Sequence, residues 1–320
     1  MNPRVNLNVK LASLAMVAVA LIALFLLINL NGNIGYILPR RGLKIAAIVL
    51  TAACIAFSTV VFQTITNNRI LTPSIIGLDS LYMLVQTFVV FVFGSAHLTT
   101  ANTNVNFIIS VAAMGLFTGL LYKVLFKREG NTIYFLLLIG IILGTFFGSI
   151  TTFLQVLIDP NEFLVVQGKM FASFNNINTK LVTMAGIAVV LTSLYFIRFV
   201  KYLDVLSLGR EHAVNLGVPY DFVVKRLLIV VAILISISTA LVGPITFLGL
   251  LVANIAYQFL NTYRHTYLIT GSILISIVAL VGGQLLVERV FTFSTTVSVI
   301  INFAGGVYFL YLLLRENKKW

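Results

Sequence analysis

Long runs of apolar residues, separated by short polar breaks, make up most of this chain. Ten runs are long enough to be read as membrane spans, near 11–30, 43–62, 76–94, 107–126, 132–157, 180–200, 226–242, 245–259, 267–287 and 297–314. Within the runs the apolar residues are continuous rather than alternating, which favours helices over barrel strands, and about 20 such residues cross a bilayer. The pattern predicts an all-α, polytopic membrane protein with about ten transmembrane helices in a single domain, residues 1–320.

The composition supports a membrane location. Hydrophobic residues make up 60% of the 320 residues, charged residues only 9%, and the mean hydropathy is +1.06. A soluble domain carries about 25% charged residues, so a water-soluble fold of this composition would lack a polar surface. The first run follows Arg4 and Lys10, and no small-x-small cleavage site comes after it, which predicts an uncleaved first helix.

The basic residues divide unequally between the two sides of the predicted bundle. A net charge of +12 could indicate nucleic-acid binding, but the Lys and Arg residues sit between spans rather than in one basic, aromatic-interleaved patch. With both termini in the cytoplasm, fifteen of the 21 fall on the cytoplasmic side and six outside, as the positive-inside rule expects. The sequence predicts a multi-pass protein of the cytoplasmic membrane that has no nucleic-acid partner.

The predicted spans contain almost no ionisable residues, and the chain carries no recognisable catalytic motif. Asp79, near the start of the third span, is interpreted as a helix-end carboxylate at the positive end of the helix dipole, with an ion-coupling site as the alternative. The sequence has no GxxxxGK[ST], HExxH, CxxC or GxSxG motif. His97, His212 and His265 show no ligand spacing and are interpreted as loop or interfacial residues, and Cys54 as a small buried residue. We expect no catalytic site, metal site or cofactor.

One polar stretch, residues 207–218, interrupts the apolar pattern and is too short to span a bilayer. Its positions nevertheless show helical spacing, because Leu208, His212, Ala213 and Leu216 stand at i, i+4, i+5 and i+8. The spacing predicts a short amphipathic helix on the cytoplasmic side. We expect this helix to contact a partner outside the membrane.

The fifth span carries a stripe of small residues. Gly140, Gly144 and Gly148 lie at i, i+4 and i+8, and the hydroxyl of Thr152 continues the same face. Such a stripe allows another helix to approach closely, or it leaves room for a passing solute. Both interpretations stay open on the sequence alone.

Three basic residues, Arg41, Lys44 and Arg289, mark the predicted outer side. Long basic side chains at a membrane boundary are often anchors that extend their charge into the headgroup region. The alternative is a docking patch for acidic groups of an external partner.

Five short motifs run along nearly the whole chain in a fixed order. They are residues 62–77, the glycine-rich stretch 140–154, the LGxxxAxxLGV pattern of 208–218, the GxIxFxGL pattern of 243–250, and Gly306, Phe309 and Leu312-Leu313. In these motifs the chain resembles the FecCD-type permeases, the membrane subunits of binding-protein-dependent ABC importers for ferric siderophores, haem and cobalamin. Residues 253–257, 263–265 and 295–297 depart from that family's usual elements, which indicates a divergent branch.

The resemblance implies the type II ABC importer permease fold, in which two ten-helix subunits form a path at their interface. A cytoplasmic ATPase dimer would grip the 201–222 segment at Leu208, Gly209, His212, Ala213, Leu216, Gly217 and Val218. An extracellular or periplasmic substrate-binding protein would dock on Arg41, Lys44 and Arg289. The path would follow Gly140, Gly144, Gly148 and Thr152, and the divergence favours a heterodimer with a second permease subunit over a homodimer.

The implied function is that of the permease subunit of an ATP-driven importer that takes up a ferric siderophore across the cytoplasmic membrane. Haem and cobalamin are the alternative cargoes. ATP hydrolysis would belong to a separate subunit, so the chain itself is not expected to be an enzyme. On the residues alone, an ion-coupled secondary transporter that works through Asp79 stays open, as does a receptor-like or structural membrane protein.

Overall fold

The computed structural model describes residues 6–29, 34–95, 102–125, 133–175 and 177–316, and every regular element in these ranges is helical. His97 and the basic residues Arg4, Lys127, Arg128, Lys318 and Lys319 lie outside them. The α-helices are α1 (Leu7–Leu27), α2 (Ile34–Thr66), α3 (Leu78–Phe93), α4 (Thr103–Leu125), α5 (Ile133–Leu157), α6 (Pro160–Lys169), α7 (Thr179–Phe196), α8 (Val200–Leu206), α9 (Arg210–Asn215), α10 (Tyr220–Val242), α11 (Leu248–Leu260), α12 (His265–Arg289) and α13 (Val297–Glu316). Two 3-10 turns, Pro73–Ile76 and Ile197–Phe199, precede α3 and α8.

The helices correspond to the predicted spans. Among the described residues, seven segments are long and apolar enough to cross a membrane: α1, α2, α4, α5, α10, α12 and the continuous stretch Thr179–Leu206. Three shorter apolar helices, α3, α11 and α13, complete the set. The prediction of an all-α polytopic protein with about ten membrane helices is confirmed.

Two features of the helices differ from the sequence prediction. α2 begins at Ile34 instead of near residue 43. The helix tolerates Pro39 because this residue lies in its first two turns, where a lost backbone hydrogen bond disturbs only the start of the helix. The sequence interpretation also missed α6, which is too short and polar to stand out as a span. Asp159 caps it by accepting a hydrogen bond from the Asn161 backbone N–H at 2.9 Å, and Pro160 occupies its first position. That capping signature would have revealed α6.

α2 and α10 form the centre of the bundle. They pack against each other along their lengths, and α4, α7, α11 and α12 surround them. α5 lies at the periphery, where it contacts mainly α3 and the Pro73–Ile76 turn. Its far face exposes large apolar side chains such as Ile142 and Phe153, as α13 does with Phe303 and Leu310.

The bundle has two distinct ends, which we name after the short helices that they carry. At the α9 end, the backbone N–H of His265 donates to the Asp204 carboxylate at 2.8 Å and joins α12 to α8. At the α6 end, the backbone N–H of Ser95 donates to the Glu162 carboxylate at 2.6 Å. The Ser173 N–H donates to the Val242 carbonyl at 2.9 Å, so the segment after α6 is fixed to the end of α10.

The close contact between α5 and the Pro73–Ile76 turn gives a matched pair of variants. A Cβ added at Gly140 would lie 2.8 Å from the Cα of Ile76, whereas one added at Gly148 would meet no atom within 4 Å. We expect Gly140→Ala to lower the free energy of unfolding by about 1–3 kcal/mol, because backbone cannot move aside as a side chain can. We expect Gly148→Ala to be neutral or slightly stabilising. Thermal unfolding in detergent, followed by a dye that reacts with the buried thiol of Cys54, measures both. Equal melting temperatures would contradict the packing described here.

Candidate functional site

The 201–222 segment folds into two short helices, α8 and α9, with a tight turn at each end of α9. Gly209 precedes α9 with a φ of 95°, and Gly217 follows it with a φ of 81°, a conformation that glycine adopts without steric cost. The Val218 N–H donates to the Ala213 carbonyl at 3.0 Å and the Gly217 N–H to the Val214 carbonyl at 2.9 Å, which is the Schellman pattern of a helix C-terminus. The two glycines therefore fix where α9 begins and ends.

The residues predicted to contact an ATPase divide into an exposed set and an anchoring set. Leu208 and Leu216 are 56% and 64% exposed, and His212 is also exposed. Ala213 and Val218 are buried in the hydrophobic core and attach α9 to the bundle. Val214 is half exposed, and the sequence interpretation missed it. The predicted helical spacing was counted from Leu208, which lies before the start of α9.

A chain of side-chain contacts connects this segment to the central helices. The Nδ1 of His265 lies 2.7 Å from an Asp204 carboxylate oxygen on α8, and its Nε2 lies 2.8 Å from the hydroxyl of Thr64 on α2. The interpretation of His265 as a loop or interfacial residue is wrong, because the side chain is buried and connects three helices. A displacement of α8 would act directly on α2 and α12.

The chain between α2 and α3 enters the bundle without forming an α-helix, and side chains satisfy its backbone. The Arg69 carbonyl accepts from the side-chain amides of Gln63 at 2.6 Å and Asn254 at 2.9 Å. Backbone groups shielded from water are costly when unpaired, so such amides stabilise a broken segment. Asn254, one of the departures from the family pattern, therefore has a structural partner.

The small residues of α5 lie in two environments. Gly140 and Gly144 contact the backbone of residues 75–77, so this half of the stripe packs closely against the broken segment. Gly148 and Thr152 line a cavity of about 290 Å³, together with Asp79, Ser80, Thr151 and Gln155. We call this the path cavity. It lies between α5, the first turn of α3 and the loop before α11.

The three basic residues predicted for the outer side all lie at the α6 end. Arg41 donates to three carbonyls at the end of α1, those of Phe25, Leu26 and Ile28, at 3.3, 2.9 and 2.7 Å. Lys44 forms an ion pair with Glu288 at 2.8 Å, and the exposed Arg289 donates to the Ile28 carbonyl at 3.4 Å. The exposed Arg40 was not singled out in the sequence; in the structure it stacks over the Tyr36 ring at 4.9 Å.

A polar network also joins α6 to the bundle. The Lys169 ammonium donates to the Gln86 side-chain oxygen at 2.8 Å, and the Gln86 amide donates to the Ser110 hydroxyl at 2.7 Å. Partial burial disfavours the charged ammonium and lowers the pKa of Lys169 to about 8. The network holds α6 across α3 and α4, beside the path cavity. The described part of the chain contains no cluster of three or more His, Cys, Asp or Glu that could hold a metal ion.

The fold defines the class of protein: an all-helical, polytopic membrane protein. A solved structure described as an inward-facing, metal-chelate-type ABC transporter has the same fold, with a TM-score of 0.82. The two chains are 20% identical, and the match covers 97% of this chain and 99% of the other. The model of the FecCD transport family matches residues 9–315, and the chain belongs to that family. The resemblance inferred from the sequence is confirmed.

Two curated relatives are similar over most of their length. The petrobactin import system permease protein YclO of Bacillus subtilis (strain 168) is 67% identical over 313 residues, which cover 98% of this chain and 99% of the relative. The petrobactin import system permease protein FatC of Bacillus anthracis is 38% identical over 281 residues, which cover 88% of this chain and 79% of the relative. Both relatives are named as permeases of petrobactin import systems.

The Lys44–Glu288 ion pair can be tested by a double substitution. The two side chains are 22% and 12% exposed, so Lys44→Met leaves the Glu288 carboxylate poorly hydrated without its cation. We expect a loss of about 1 kcal/mol in the free energy of unfolding, and recovery of most of it in Lys44→Met/Glu288→Gln. Lys180→Met, at an exposed lysine in the first turn of α7, serves as the control and should not change the melting temperature. A Lys44→Met variant as stable as the wild type would show that the pair has no structural role.

Proposed function

We propose that this chain is the permease subunit of an ATP-driven ABC importer that carries a ferric siderophore across the cytoplasmic membrane, and that the siderophore is petrobactin. The observation that carries the proposal is the 67% identity, over nearly the full length of both chains, with a petrobactin import permease. Haem and cobalamin, the other cargoes of this kind of permease, have no such support.

The energy for transport comes from an ATPase dimer that docks on the 201–222 segment. Leu208, Val214 and Leu216 expose apolar side chains at the α9 end, and apolar side chains outside a bilayer are typical of a protein contact. Gly209 and Gly217 shape the docking helix, His212 adds a polar contact, and Ala213 and Val218 anchor it. Movement of this segment passes to α2 and α12 through Asp204, His265 and Thr64, and ATP binding shifts the bundle between inward-open and outward-open states.

The α9 end faces the cytoplasm in this proposal, with both termini on that side. Lys10, Arg69 and Arg264 lie at this end, as do the basic residues at the start of α10, Lys225 and Arg226. A cytoplasmic excess of Lys and Arg is the usual signature of orientation. The helix order of the fold supports this orientation, because it brings these Lys and Arg residues to the same end of the bundle, as the count in the sequence requires.

A substrate-binding protein docks at the α6 end, on the surface that carries Arg41, Lys44 and Arg289. Arg289 is the exposed member and Arg40 adds a second exposed guanidinium, while Arg41 and Lys44 hold the surface together through their internal bonds. Acidic side chains on the partner would complement this surface and speed association.

A second, different permease subunit completes the path. Bacillus subtilis has two proteins named as petrobactin import permeases, and the chain is 67% identical to YclO but only 25% identical to YclN, over 281 residues. Such divergence between two permeases of one system supports a heterodimer. The path then runs between the subunits along Gly148 and Thr152, with Gly140 and Gly144 packed beside it.

Reconstitution tests the cargo and the energy source together. We expect proteoliposomes that contain this chain, its partner permease and the ATPase to take up iron-55 from ferric petrobactin at least tenfold faster with ATP than with a non-hydrolysable analogue. Excess haem or cobalamin should not compete. Collapse of sodium and proton gradients should leave the uptake unchanged, because no ion gradient drives it. ATP-independent uptake that stops when a gradient collapses would contradict the proposal and favour an ion-coupled transporter.

A further inference from the structure

The path cavity contains a carboxylate that the proposed transport mechanism does not use. Asp79 lies in the first turn of α3, directly after the broken segment and the left-handed Gly77. The residue lines both the path cavity and a space of about 10 Å³ that it shares with Thr59, Ser74 and Thr239. It is therefore surrounded by α2, α10 and the loop before α11.

The polar groups around this cavity are incompletely paired. The Ser74 and Thr239 hydroxyls interact with the Asp79 carboxylate, but its buried Oδ2 and the buried Nε2 of Gln155 have no close hydrogen-bond partner among the described residues. None of the ion pairs in the described ranges involves Asp79, and no Lys or Arg lines the path cavity. A buried acceptor and a buried donor without partners each cost free energy, so a ligand that pairs with both would gain affinity from them.

The chemistry of the side chains around the path cavity indicates which kind of group they would bind. A carboxylate in a cavity that no Lys or Arg lines repels anions and pairs with a positively charged donor, and a protonated amine can donate several N–H groups to it. The Thr151 and Thr152 hydroxyls and the Gln155 amide can bind amide or hydroxyl groups beside such an amine. A volume of about 290 Å³ fits one arm of a chelate, and the rest of the cargo would lie toward the second subunit.

We propose that Asp79 recognises a protonated amine on the iron chelate as the cargo moves through the path cavity. The inference rests on the proposed function as an importer of ferric siderophores, and it adds a chemical criterion for the cargo. Chelates that carry amines outside the iron-binding groups are favoured. Chelates whose net charge is strongly negative and that lack such amines are disfavoured, because a carboxylate without an ion-pair partner repels them.

The test compares two chelates that differ only in this charge. The probes are the ferric complex of a bis-catecholate chelator with secondary amines in its arms, and the same complex with those amines acetylated. Iron-55 uptake is measured in ATP-driven proteoliposomes that contain the complete importer. We expect the wild type to transport the amine-bearing complex at least tenfold faster than the acetylated one, which corresponds to about 1.4 kcal/mol of discrimination.

Substitutions of Asp79 test whether the preference for the amine-bearing complex depends on its carboxylate. We expect Asp79→Asn to slow uptake of the amine-bearing complex about tenfold without changing that of the acetylated complex, and Asp79→Glu to keep part of the preference. The matched control is Asp159→Asn, which removes a carboxylate at the α6 end while Asn preserves the helix cap. It should keep the full preference.

The other outcomes overturn the inference. An Asp79→Asn variant that keeps the preference, or that loses uptake of both complexes equally, would show that Asp79 has no role in recognition or only a structural one. An Asp79-dependent requirement for a sodium or proton gradient would make the residue an ion-coupling site. A wild type that transports neither complex with ATP would contradict the proposed function itself, whereas a wild type that transports both equally would contradict only the inference.

Discussion

The constraint on which this structure depends is that buried backbone polar groups need partners within the protein. Continuous helices meet it by themselves, and α2 and α10 do so at the centre of the bundle. Between α2 and α3, and again before α11, the chain is not helical, and side chains supply the missing partners. Gln63 and Asn254 donate to the Arg69 carbonyl, and the Asn302 amide oxygen accepts from the Phe247 N–H at 3.3 Å. These two breaks lie beside each other and leave open the space that we call the path cavity.

The same constraint separates the functions of the two ends. The bundle interior is closely packed, and in the proposed mechanism movement enters it through the 201–222 segment, which leaves the bundle and returns to it. Gly209 and Gly217 give that segment its sharp turns, and the Asp204–His265–Thr64 contacts connect it to α2 and α12. At the α6 end, basic residues tie α1, α2 and α12 together through Arg41 and Lys44 and leave Arg289 exposed.

Hydropathy was sufficient to predict the membrane-spanning helices, because each span must be apolar over its whole length. It could not reveal α6, whose only signature is the cap at Asp159, nor the early start of α2, where Pro39 resembles a break. The motif at 208–218 located the α9 segment correctly, but spacing alone could not show that Ala213 is buried while Val214 is exposed. The environments of His265 and Asp79 depend on contacts between helices distant in the chain, which a single sequence does not encode locally.

The central claim is that an external ATPase moves the bundle through the exposed apolar residues at the α9 end. The most direct test measures ATP hydrolysis and iron-55 uptake together in proteoliposomes with Leu216→Asp, with Asn215→Asp as a control that adds the same charge one residue away. The account predicts that Leu216→Asp reduces uptake at least tenfold, while the melting temperature stays unchanged and Asn215→Asp transports normally. A Leu216→Asp variant that assembles and transports at the wild-type rate would contradict it.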